Sequence, residues 1–150
     1  MNAAAGTTPK IVVGVDGSDP SKLALKWAAR QAKLTDTTLK VVTSWEYPPT
    51  LGWAPPYPSD FDPNEDARKA VQEAIDTVLG PDASVVAQLE VAEGHPASVL
   101  TEAARDAELL VVGSRGHGAF AGMLLGSVSE YCAAHAPCPV VVVRHTDDKA

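Results

Sequence analysis

The chain is predicted to be an α/β domain: an open, mostly parallel five-stranded sheet with helices on both faces, Rossmann-like in build. Short β-branched runs alternate with amphipathic helical stretches along the 150 residues, which is the pattern of a sheet wound with helices. The connections between successive strands are long enough for crossovers, as parallel pairing requires. The composition is 45% hydrophobic but only 5% aromatic, so the core must be built of Val, Leu, Ile and Ala. At this length one domain is expected, over residues 10–145, with flexible ends at 1–9 and 146–150.

Lys10 to Val15 is a β-branched run that suits a strand buried on both faces, and Asp16-Gly17-Ser18-Asp19-Pro20 after it is a polar turn rich in helix caps. From Ser21 to Leu34, apolar Leu23, Ala24, Trp27, Ala28 and Ala32 recur at helical spacing against polar Lys22, Lys26, Arg30 and Lys33. Leu39 to Ser44 is a second strand. The stretch Trp45 to Pro63 holds six prolines and reads as a long irregular segment. Helical periodicity returns over Asn64 to Leu79, with Ala67, Ala70, Val71, Ala74, Ile75 and Val78 on one side and Gly80-Pro81 as a stop. Ser84 to Val91 alternates as a third strand, and His95-Pro96-Ala97-Ser98 opens a helix to about Ala107. Leu109 to Gly113 is an uninterrupted apolar strand, Ala121 to Ala134 a fourth helix and Pro139 to Arg144 a fifth strand.

Charge narrows the function. A net charge of -7 with a pI near 4.9 offers no basic field to a phosphodiester backbone, so nucleic acid is a poor partner. The start of the chain has neither a positively charged lead nor an apolar run, and no apolar stretch reaches spanning length, so a cytoplasmic protein without a membrane contact is expected. Cys132 and Cys138 read as core cysteines; with His135 between them they lack the fourth ligand of a structural zinc site.

In an open α/β sheet a ligand sits beyond the carboxyl ends of the strands, where the strand order reverses. The segments at those ends are Gly14 to Ser18, Ser44 to Tyr47 and Gly113 to Ser127. The last of these, Gly113-Ser-Arg-Gly116-His-Gly118-Ala-Phe-Ala-Gly122-Met-Leu-Leu-Gly126-Ser127, lets backbone amides converge on an anion and adds the charge of Arg115. Ser127, Val128 and Ser129 then stand near the start of a helix, whose dipole favours negative charge.

At this segment the chain resembles the universal stress protein family, whose ATP-binding subset carries Gly-x2-Gly-x9-Gly-Ser/Thr, met here by Gly113, Gly116, Gly126 and Ser127. Val12 to Ser18, Gly94-His95-Pro96 and Ala136 to Val143 extend the resemblance over Lys10 to Arg144. It implies a sheet ordered 3-2-1-4-5 and ATP as ligand, with magnesium reached through Asp16 if it accompanies the nucleotide. Gly14, Val15 and Asp16 would border adenine and ribose, and Val42 would line the base pocket. Gly113, Ser114, Arg115, Gly116, His117, Gly118, Ala119, Gly126, Ser127 and Val128 would surround the phosphates. The resemblance further implies a homodimer in which Val140 to Val143 pairs with its copy, an arrangement that covers an apolar edge strand.

Other readings compete for the same residues. No Gly-x4-Gly-Lys-Ser/Thr occurs, so the P-loop lysine is missing and fast phosphoryl transfer is not expected. Asp16 also suits an ordinary turn residue. Gly116 to Ala121 meets a loose dinucleotide fingerprint but lies too near the end of the chain, with one strand to follow. Trp45, Tyr47, Trp53 and Tyr57 read as a loop packed by its own aromatics, a partner surface or a lid. The function expected is a stress-response regulator or sensor working through nucleotide occupancy, without catalytic residues. Its rivals are a slow ATPase or nucleotidyl-transfer enzyme of the same architecture and a nucleotide-free dimeric scaffold.

Overall fold

The computed structural model describes residues 9–47, 60, 62–81, 84–114 and 125–144. Five strands and four helices alternate: β1 (Lys10–Gly14), α1 (Asp19–Thr35), β2 (Thr38–Trp45), α2 (Pro63–Leu79), β3 (Ala87–Glu93), α3 (Pro96–Ala103), β4 (Leu109–Gly113), α4 (Ser127–His135) and β5 (Val140–Val143). The strands form one sheet in the order β3-β2-β1-β4-β5, with every neighbouring pair parallel. The expected fold and strand order are therefore observed.

Alternation along the strands divides the core in two. Ile11, Val13, Val41 and Val111 point to the α1 and α2 side, where Ala24, Leu25, Ala28, Ala32, Val71 and Ala74 meet them. Val12, Val42, Leu110 and Val112 point to the α3 and α4 side, against Leu100, Ala104 and Cys132. Both faces of β1 and β4 are covered, which is why those strands read as continuous apolar runs.

Local chemistry sets the helix ends. Ser18 accepts the Ser21 amide to cap α1, Pro20 stands in its first turn, and Asp36 ends it in the left-handed region at φ 56°. Asp62 caps α2 by accepting the Glu65 amide at 3.1 Å, with Pro63 as the first helical residue.

Several boundaries differ from expectation. β2 runs from Thr38 to Trp45, because it pairs with β3 as far as Trp45 opposite Glu93. β3 begins at Ala87, three residues later than expected, and ends at Glu93. α3 stops at Ala103: the Arg105 amide turns to the Glu102 carbonyl (3.2 Å) and the Ala107 amide to the Ala104 carbonyl (3.0 Å), a tightening that ends the helix. α4 starts at Ser127, and residues 121–124 of the longer helix that was expected lie outside the described residues. In α1, Leu23 is 39% exposed and Leu25 is fully buried. The inward stripe is Ser21, Ala24, Leu25, Ala28, Ala29 and Ala32, rotated from the predicted one. Ala70 of α2 likewise faces solvent.

Candidate functional site

The strand order reverses between β1 and β4, which are neighbours in the sheet although β2 and β3 come between them in sequence. Their carboxyl ends, Gly14 and Gly113, open the candidate site.

Gly14 is opposite Val42 in the β1–β2 register, and the Val15 amide still donates to the Val42 carbonyl at 3.0 Å. A Cβ on Gly14 would stand 2.7 Å from Leu100 Cδ1, so α3 presses on the end of β1. Val42 is fully buried in the α3–α4 core. Its side chain thus supports the floor beneath the site, and its carbonyl holds the turn after β1. Asp16 is exposed; its Oδ1 accepts the Ser18 amide at 2.9 Å and the Ser18 hydroxyl, while its own amide donates to Ser21 Oγ at 3.2 Å. The Asp16 carboxylate therefore builds the turn into α1 while facing solvent at the sheet's carboxyl edge.

Gly113 has a packing role at the end of β4. A Cβ there would lie 2.9 Å from the Pro20 carbonyl oxygen and 3.0 Å from its carbonyl carbon, so its hydrogen lets β4 sit against the first turn of α1. Next, buried Ser114 donates its amide to the Val143 carbonyl at 2.9 Å. The Ser114 carbonyl accepts both the Gly126 amide at 2.6 Å and the Ser129 hydroxyl at 3.0 Å. This pair of hydrogen bonds pins the start of α4 to the end of β4. Arg115, Gly116, His117, Gly118 and Ala119 lie outside the described residues.

The amides of Ser114 and Gly126 are engaged in this internal pairing. Neither Gly113 nor Gly126 takes a positive φ: Gly126 is extended at φ -80°, ψ 171°. What remains is the first turn of α4. The Glu130 amide makes the first intrahelical bond, to the Gly126 carbonyl at 3.0 Å. The amides of Ser127, Val128 and Ser129 have no acceptor within the helix by its geometry, and Gly126 has no side chain with which to cap them. Ser127 is exposed and Val128 half-buried, so this turn presents amides and the positive end of the dipole outward.

Ser114, Ser129, Ser21, Pro20 and Leu100 are the positioning residues that the sequence reading did not single out for these contacts. The serines sit one or two positions from recognised motif residues, which is the only signal that could have found them.

Cys132 is fully buried, and burial pushes its thiol up to about 11; the Cys138 thiol is raised by the same cause. Both pack in the α3–α4 core, in keeping with the reading as core cysteines. Among the described residues no cluster of three His, Cys, Asp or Glu side chains is placed to hold a metal. A cleft of about 510 Å³ runs along α3 beside β2 and β3. Lys40 and Glu90 pair across it at 2.6 Å, and it follows the helix instead of opening at the reversal point, so it is not the candidate site.

The family model described as universal stress protein family matches residues 7–144. The chain belongs to the universal stress protein family. A universal stress protein of Mycolicibacterium smegmatis is 39% identical over 149 residues, an alignment covering 93% of this chain and 49% of that protein. The chain thus spans about half the length of the curated universal stress proteins it matches. Among solved structures, the universal stress protein UspA from Lactobacillus plantarum superposes with a TM-score of 0.74 at 22% identity, covering 93% of this chain and 99% of that one. A universal stress protein in complex with cAMP superposes at 0.69 with 29% identity, covering 93% and 99%. Among the described residues of this universal stress protein domain, no helix is long and apolar enough to cross a membrane.

Proposed function

We propose that this universal stress protein domain binds an adenine nucleotide, ATP carried with magnesium, and acts in the cytoplasm as a stress-response regulator through nucleotide occupancy. The observation that carries the reading is the uncapped first turn of α4, pinned by Ser114 to the carboxyl end of β4 beside the turn at Asp16. Phosphates would rest against the Ser127 and Val128 amides, where the dipole acts together with donors that have no acceptor within the helix. The sugar would lie toward Gly14, Val15 and Asp16, with Val42 supporting the base from beneath. The family resemblance assigns Arg115 to Ala119, which lie outside the described residues, to the phosphates as well. The structural neighbour in complex with cAMP supports an adenine nucleotide as the ligand class.

Calorimetric titration tests this reading. Mg-ATP is expected to bind with a 1:1 stoichiometry and to raise the melting temperature with concentration, as any ligand of the folded state must. Absence of both heat and melting shift contradicts it.

The proposal includes a homodimer through β5. That strand is at the edge of the sheet, paired to β4 alone among the described residues, and all four of its valines are only half-buried. A bare apolar edge favours pairing with a second copy. Val141→Lys places like charges across the proposed two-fold and is expected to yield monomers by light scattering; a variant that stays dimeric rejects this interface.

A further inference from the structure

Helix α3 begins on a side chain whose capping depends on its protonation. His95 occupies the N-cap with extended backbone (φ -68°, ψ 133°), and its Nδ1 accepts the Ala97 amide at 3.3 Å. Accepting there requires a lone pair on Nδ1, which the ring offers only while Nδ1 carries no proton. A proton added at Nδ1 abolishes the acceptor and places positive charge at the helix end that already carries the positive pole of the dipole.

We propose that His95 is a proton-operated cap, which holds the first turn of α3 when neutral and releases it when protonated. The consequence reaches the candidate site through packing. α3 lies against β1 and β2, and its Leu100 is the side chain that a Cβ on Gly14 would strike at 2.7 Å. Gly14 leads directly into Val15 and Asp16, so loosening α3 slackens the support behind the end of β1. The effect on α3 stands alone; its transmission to nucleotide affinity rests on the function proposed above.

The titratable groups that neighbouring elements bring to this end of the sheet are Asp16 after β1, Glu46 and Tyr47 after β2, Glu93 closing β3 and Glu130 in the first turn of α4. Among the described residues none of them is hydrogen-bonded or ion-paired to His95. His135 lies in α4, which packs against α3, so the transition assigned to the cap must track the His95 ring resonance and not that of His135.

Amide exchange and the ring titration are read on one isotope-labelled sample from about pH 8 to about pH 5. Protection of the Ala97 amide, corrected for intrinsic exchange, is expected to fall about fivefold in step with the His95 ring shift. In His95→Asn, whose side-chain oxygen accepts throughout this range, protection is expected to stay flat. Protection that ignores the ring titration, or that falls equally in His95→Asn, overturns the proposal. As the pH is lowered, Mg-ATP affinity is expected to fall further in the wild type than in His95→Asn, because protonation of the nucleotide's own phosphates weakens binding to both alike; an equal fall in the two proteins beside a pH-dependent Ala97 overturns the link to the site. Failure to bind ATP at any pH sinks the nucleotide reading, while the Ala97 amide still decides the cap.

Discussion

Ser127→Asp is expected to weaken Mg-ATP binding by about tenfold or more while making the nucleotide-free protein slightly more stable. Ser127 is the first residue of α4 and is exposed, so a carboxylate there meets the positive end of the dipole and stabilises the helix by a few tenths of a kcal/mol to about 1 kcal/mol. The same carboxylate would stand beside the phosphates. Two unit charges about 4 Å apart repel by roughly 1 kcal/mol in water and about 4 kcal/mol near a protein surface, and ATP carries several charges. The opposite signs of the two effects separate a lost ligand contact from damaged folding. Calorimetry paired with thermal melting of the free protein reads both; undiminished affinity would place the phosphates elsewhere.

Gly113→Ala is expected to lower stability by about 1–3 kcal/mol, the cost of forcing atoms into a packed interior. The new methyl would stand 2.9 Å from the Pro20 carbonyl oxygen and 3.0 Å from the carbonyl carbon, and backbone cannot rotate out of the way as a side chain can. Either β4 or the first turn of α1 must move. Gly14→Ala provides the comparison, because the nearest atoms to its methyl all belong to the Leu100 side chain, whose rotamer can adjust. Denaturant unfolding of the two variants is expected to rank Gly113→Ala as the more destabilised; equal stability for both would contradict the packing role assigned to Gly113.

That pair of glycines shows where sequence reading stops. The need for a missing Cβ at 113 was legible, but a glycine that admits a phosphate and one that admits Pro20 look alike in sequence. The two faces of β1 and β4 were readable because continuous β-branched runs have few other uses. By contrast, Leu23 and Leu25 are equally apolar, and a helix can rotate by part of a turn to bury either; only the approach of β1 and β4 to α1 selects Leu25. The end of α3 was hidden for a similar reason. Ala103, Ala104 and Ala107 continue a helical composition, and the turn at Ala104 to Asp106 is imposed by the need to enter β4. At the site, the glycine spacing and the helix start at Ser127 were visible, whereas the clamp from the Ser114 carbonyl to Gly126 and Ser129 spans 15 residues and exists only once the fold is formed.

The most direct measurement is the amide spectrum of isotope-labelled protein during Mg-ATP titration. The Ser127 and Val128 amides are expected to shift with saturation, together with resonances of Val15 and Asp16 at the facing strand end. Saturable binding that leaves the Ser127 and Val128 amides unmoved would contradict the claim that the open first turn of α4 receives the nucleotide.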